Sequence, residues 1–282
     1  MKRFLARLLL FFTVFPALMF VVFWDFQLHL VINILIVWAS IVGAQEMAGI
    51  LEIKGFPINR FLTPLFGALL PVFGYAEKAG WLEQGHFFTI IALLIIIVFS
   101  RHVFAYRTPS LESIVHKVTG NLAILIYPGL FSYFLVKISS FPQASLYLLV
   151  FLLVTLGNDA GAYVAGNLFG RKSKVLLRVS PNKSLAGFIG GLIISPVILC
   201  TAAYLRPDVF GSMVYAGVFG TAVGLATILG DLFESALKRS SGLKDSGTAI
   251  PGRGGMLDSI DSLLFAAPVY FLYLDQMKRL GM

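Results

Sequence analysis

Nine ionisable residues crowd one stretch, 231–261, whose flanks are almost purely apolar: Asp231, Glu234, Lys238, Arg239, Lys244, Asp245, Arg253, Asp258 and Asp261. Charge at the edge of a bilayer is costly, so a cluster of this kind points to a functional site. Acids and bases laced with glycines suit a metal-bound polyphosphate better than a lone ion or an apolar ligand. Gly242, Gly247, Gly252, Gly254 and Gly255 permit the close backbone approach of a phosphate cradle, with Lys244 and Arg253 as cations for phosphate oxygens. Asp258 and Asp261 stand three residues apart at the start of an apolar run, so both can face one point. Magnesium takes one or two protein carboxylates and completes its shell with phosphates and water, and Asp231 with Asp258 can form such a pair across two helices. The bland alternative is a flexible loop followed by an acidic helix N-terminus, which the helix dipole favours. It accounts for Asp258 and Asp261 singly but not for the assembly.

Two further patterns extend the site. Asp231, Glu234, Ser235, Lys238 and Arg239 fall at i, i+3, i+4, i+7 and i+8, one face of a helix. Snorkelling at a helix end explains the basic pair, but not Asp231 a full turn deeper. Upstream, Asn158 and Asp159 interrupt a strongly apolar run in LGNDAGAYVAGNLFG, and SPNKS (180–184) opens the next run with capping residues and Lys183. An N-cap with a basic loop accounts for Ser180–Ser184. Asp159 within an apolar span points instead to a polar cavity.

The elements that must hold these residues are membrane helices. The chain has 282 residues, 58% hydrophobic and only 13% charged, against about 25% charged in a soluble domain. Apolar runs long enough to cross a core of ~30 Å recur at roughly 4–24, 27–45, 61–76, 86–100, 118–136, 143–167, 185–205, 209–231 and 260–275. The expected fold is all-α and polytopic, with about nine spans. With the N-terminus inside and the C-terminus outside, seventeen of the 22 lysines and arginines lie on the cytoplasmic side. The net charge of +8 mostly expresses this asymmetry and carries no argument for nucleic acid. Residues 1–140 read as scaffold helices, with Glu46 the main intruding charge, and 141–282 as the catalytic region. A single cysteine, Cys200, excludes an intrachain disulfide and a cysteine metal cluster, and the four histidines form no HExxH pattern.

The segment SALKRSSGLKDSGTAIPGRGGMLDSID (235–261) resembles the signature of the phosphatidate cytidylyltransferase (CDP-diglyceride synthase) family. Ser235, Lys238, Arg239, Lys244, Asp245, Pro251, Gly252, Gly254, Gly255, Asp258 and Asp261 match it at their spacings, and the NDAGAY and SPNKS stretches resemble further family blocks. Two positions depart: Arg253 stands where the family usually has His, and Ser259 where it usually has Arg. The resemblance implies an enzyme that condenses CTP with phosphatidic acid into CDP-diacylglycerol and pyrophosphate. It implies Mg²⁺ held by Asp231 and Asp258 with Asp261 as third ligand or support, leaving room for a second cation. Lys238, Arg239, Lys244 and Arg253 would bind phosphates, with Ser235, Gly254 and Gly255 beside them. Asp245 would orient the lysine or nucleotide, and Asp159 and Lys183 would shape the cavity. A CTP-dependent enzyme for another lipid phosphate, or a phospholipid transporter or flippase, stays open; the latter predicts polar groups in both halves of the chain. A bacterial inner membrane with the site facing the cytoplasm, and a homodimer, complete the expectation.

Overall fold

The computed structural model describes residues 13, 15–83, 85–103, 112–170, 180, 183–250 and 254–281, and among these every element longer than an isolated bridge is helical. A helical stretch over 15–23 leads to α1 (Leu30–Ile53), α2 (Thr63–Lys78), α3 (Phe87–Val103) and α4 (Glu112–Ile124). A π-helical segment, Leu125–Leu130, joins α4 to α5 (Phe131–Ile138). Then come α6 (Ala144–Phe169), α7 (Leu185–Leu205), a single turn at Pro207–Phe210, α8 (Met213–Ser240) and α9 (Leu257–Leu280).

Among the described residues six helices are long and apolar enough to cross a membrane: α1, the joined stretch Ile114–Ile138, α6, α7, α8 and α9. The protein is thus an all-α, polytopic membrane protein. The runs expected at 61–76 and 86–100 do fold as helices, but α2 has 16 residues and α3 has 17. At 1.5 Å per residue α2, and α3 as far as it is described, reach about 25 Å, near the lower limit for crossing a ~30 Å core. Of the span expected at 4–24, residues 13 and 15–23 are helical, and 4–12 and 14 lie outside the described residues.

Local chemistry sets the helix starts. Ser184 caps α7 by accepting the Gly187 N–H at 3.1 Å, and Ser212 caps α8 by accepting the Tyr215 N–H at 3.3 Å. Pro128 removes one backbone donor inside the α4–α5 stretch, and the chain there widens into the π segment. The Ser40 hydroxyl, 2.7 Å from both the Gly67 and the Pro128 carbonyl oxygens, joins α1, α2 and this irregular turn.

Packing then runs α6 on α7, α7 on α8, α8 on α9, and α9 back onto α5 and α1. Small residues bring the C-terminal helices close. A Cβ at Gly190 would collide with Ala165 and stand 2.8 Å from the Gly161 carbonyl, and one at Gly230 would stand 2.6 Å from the Asp261 carbonyl. Tyr127, Phe131, Phe233 and Phe265 form an aromatic cluster with centroids 5.1–5.6 Å apart, edge to face except for the tilted Phe233–Phe265 pair.

Candidate active site

Between α6, α7, α8 and α9 lies a cavity of about 960 Å³. Among the described residues its charged lining comes from Asp159 on α6, Lys183 just before α7, Asp231 on α8, and Asp258 and Asp261 on the first turns of α9, with Ser259 and Ser262 beside them. Leu156, Tyr163, Phe188, Leu232 and Leu263 supply an apolar wall. Tertiary packing therefore brings together five of the residues that the sequence proposes, from four separate segments. Asn158 holds the frame: 1% exposed, it donates from Nδ2 to Ser195 Oγ at 2.9 Å and to the Gly224 carbonyl at 3.2 Å, tying α6 to α7 and α8.

Two lysine–carboxylate pairs dominate the electrostatics. Lys183 pairs with Asp231 across the gap between α7 and α8. Burial pushes its ammonium below the ordinary lysine range, and the nearby Asp159 and Asp261 counter that push. Lys238 sits between Glu234 Oε2 and Asp258 Oδ1, 2.5 Å from each. Its side chain is 13% exposed, with Glu234 at 1% and Asp258 at 9%, so the expected charged face of α8 is an internal ion triad and not a solvated stripe. The other oxygen of Asp258 accepts the Gly255 N–H (2.7 Å) and the Ser246 N–H (2.9 Å) and lies 3.0 Å from Ser246 Oγ. Asp258 thus closes the 246–258 loop while lining the cavity. Asp261 is 8% exposed and accepts the Ser262 N–H at 2.6 Å on Oδ1.

Other sequence candidates stand apart from the cavity lining. Lys244 and Asp245 are exposed on the loop, and Arg239 is exposed with Nη1 3.4 Å from the Leu243 carbonyl. Ser235 is half-buried on α8. Gly254 and Gly255 act on the loop's shape. Gly254 has φ +123°, and a Cβ there would stand 2.8 Å from Asp258 Oδ2; Ile250 and Gly254 exchange two backbone hydrogen bonds of 2.8 and 3.1 Å. Arg253 lies outside the described residues. The structure adds Glu46, Glu234 and Ser246, which the sequence reading left without a role in the site. For Glu46 the available signal was a lone carboxylate in an apolar span; for Glu234, its place on the charged face.

Could this lining hold a magnesium ion? Its donors are hard carboxylate oxygens on two adjacent helices, the chemistry magnesium prefers. Among the described residues no three acidic, histidine or cysteine side chains converge into a ready cage. That suits an ion that takes one or two protein carboxylates and completes its shell with substrate phosphates. The donor set fits. Among the described residues the charged lining is four carboxylates and one lysine, and a bound cation would offset the carboxylates when anionic phosphates enter.

Comparison with known proteins gives a consistent result. A family model described as "Cytidylyltransferase family" matches residues 5–277. The phosphatidate cytidylyltransferase of Haemophilus influenzae is 30% identical over 250 residues, 82% of this chain and 85% of that protein. That of Thermotoga maritima is 40% identical over 179 residues, 60% of this chain and 64% of the relative. The uncharacterized protein YnbB of Escherichia coli is 42% identical over 134 residues, 47% of this chain and 44% of the relative. Apart from the Haemophilus protein, the matched stretch spans about half to two thirds of these relatives' length.

Proposed function

The chain belongs to the cytidylyltransferase family, and from that premise we propose that it is a phosphatidate cytidylyltransferase, an enzyme joining CTP to phosphatidic acid. The observation that carries the reading is the cavity itself. It pairs an apolar wall suited to a lipid with four carboxylates and a lysine suited to a metal-bound polyphosphate. A phosphatidate oxygen attacks the α-phosphorus of CTP, forming the new P–O bond. The bond to the β-phosphate breaks, and pyrophosphate leaves with that electron pair. The second pKa of a phosphomonoester lies near ~6, so the nucleophile is ionised at neutral pH and no general base is required. Catalysis then rests on bringing two anions together and on offsetting the charge that they share.

Asp231, Asp258 and Asp261 would hold Mg²⁺, which when bound supplies positive charge at the phosphates. Lys183 meets phosphate oxygens from the α7 side, and Asp159 keeps that lysine charged. Lys238 stays with Glu234 and Asp258 and fixes the latter's orientation. Lys244, Arg239 and Arg253 draw CTP toward the loop, Gly254 and Gly255 let its backbone approach, Ser235 supports the α8 face, and Asp245 orients Lys244. In this reading residues 1–140 are scaffold and 141–282 carry the chemistry. The chain crosses a bacterial inner membrane about nine times, N-terminus in and C-terminus out, with the site at the cytoplasmic face where CTP is found. A homodimer is consistent with the small-residue helix faces.

The test is incorporation of labelled CTP into lipid by purified protein in detergent. Labelled CDP-diacylglycerol should form with phosphatidate and Mg²⁺, and stop on chelation. Activity with a different lipid phosphate but not phosphatidate would replace the substrate. No incorporation with any lipid phosphate would overturn the reading.

A further inference from the structure

Helix α9 lacks a side-chain cap of its own: Met256 stands at its N-cap position and makes no such bond. Its first amide groups are nevertheless satisfied, by a carboxylate some two hundred residues away in the chain. Glu46, on α1, accepts the Met256 N–H on Oε1 and the Leu257 N–H on Oε2, each at 2.8 Å. Oε2 also lies 2.8 Å from Ser246 Oγ. That hydroxyl is in turn 3.0 Å from Asp258 Oδ2 and accepts the Asp258 N–H at 3.3 Å. Glycine is required around the clamp, since a Cβ at Gly247 or Gly255 would collide with the Glu46 carboxylate.

Resting on the cytidylyltransferase reading, we infer that Glu46 is a positioning residue for the reaction, fixing the start of α9 so that Asp258 and Asp261 present their carboxylates to the cavity. The geometry of the contact explains why the residue must be glutamate. Both of its oxygens accept, and all three partners donate. A glutamine in the same place has one acceptor oxygen, and its NH₂ would face either the Met256 or the Leu257 N–H, donor against donor. Aspartate is one methylene shorter and cannot span from α1 to both amides. Glu46 touches no cavity-lining group except through Ser246 and the backbone. Its effect is therefore on where Asp258 and Asp261 stand, and a displacement of about 1 Å in such a group can lower a rate by ~10²-fold.

The test compares full-length wild type with Glu46→Gln in detergent. Amide exchange at Ser246 and at 255–258 should lose protection while the rest of α9 keeps it. Turnover with CTP and phosphatidate should fall at least about tenfold, and half-maximal rate should need at least about threefold more Mg²⁺. Simple loss of folded protein would lower turnover without moving the Mg²⁺ dependence or the exchange of those few amides. Unchanged protection overturns the inference, and so does lost protection with unchanged turnover and Mg²⁺ dependence. If Glu46→Gln fails to accumulate, Ser246→Ala removes one of the three contacts. It should move the same readouts in the same direction by less, and unmoved readouts there overturn the inference too. Wild-type protein without cytidylyltransferase activity would sink the functional reading alone, since the exchange data still decide whether Glu46 fixes the start of α9.

Discussion

At the scale of single residues, the structure separates two aspartates that look equivalent in the sequence. Asp231 pairs with Lys183. Asp258 is gripped by Lys238 and by two backbone amides of its own loop. Asp231→Asn should lower turnover by at least ~10²-fold, as loss of a main electrostatic element does, with the fold intact. Retention of more than about a tenth of wild-type turnover at saturating Mg²⁺ would sink its assignment. Asp258→Asn should lower turnover as strongly while the amides of Ser246 and Gly255 stay protected, because both donate to one oxygen, which asparagine can keep while its NH₂ group replaces the oxygen facing Lys238. Lost protection at those two amides would show that the loop depends on the full carboxylate. Lys238→Met leaves Glu234 and Asp258 as buried carboxylates without their shared cation. Breaking a buried ion pair from one side costs about 3–5 kcal/mol, so the variant should melt well below wild type. A melting temperature within a degree or two of wild type would mean that the triad is solvated.

At the scale of elements, close helix contact builds the cavity. Gly190 on α7 faces Ala165 and the Gly161 carbonyl of α6, and Gly190→Val should force these helices apart, lowering both stability and turnover. Gly49 on α1 has no heavy atom within 4 Å of where a Cβ would stand. Gly49→Ala should therefore be neutral or stabilising by about 0.5–1 kcal/mol, the ordinary gain of alanine over glycine inside a helix. Equal losses in the two variants, measured by thermal unfolding in one detergent, would remove close packing as the explanation. The contrast also shows why glycine content alone does not locate the site: only the glycines facing another backbone do.

At the scale of the whole molecule, the acidic cavity and the Glu46 clamp lie at one end of the bundle, where α8 ends in Lys238 and Arg239. The proposed orientation puts that end in the cytoplasm. A cysteine at Ser241, in a Cys200→Ser background, should stay unlabelled by an impermeant thiol reagent on intact cells and react once the membrane is opened. Labelling from outside would overturn both the orientation and a cytoplasmic site. The two halves of the chain are also joined where the chemistry lies, since α9 packs on α1 and α5 and takes its N-terminal cap from Glu46.

Composition and periodicity were enough for an all-α membrane protein, because a continuous apolar run of about twenty residues satisfies its backbone in lipid as a helix, whereas barrel strands are shorter and alternate apolar with polar residues. The 235–261 spacing was enough for the family, and the i, i+3, i+7 spacing put Asp231, Glu234 and Lys238 on one face of what is indeed a continuous helix. Span length was less legible. The run at 61–76 is apolar but folds into a helix of 16 residues, since hydropathy reports solubility in lipid and not where a helix stops. Partners across helices were not legible. The Glu234–Lys238 pair is local, at i, i+4, but nothing local in the sequence says that Lys183 meets Asp231, that Lys238 also meets Asp258, or that Glu46 caps α9. A charged group's partner is decided by which helices pack side by side, and that is set by the sum of many small contacts between segments distant in the chain. The sequence could therefore name the groups able to do chemistry, while only the tertiary structure decided which of them face one another.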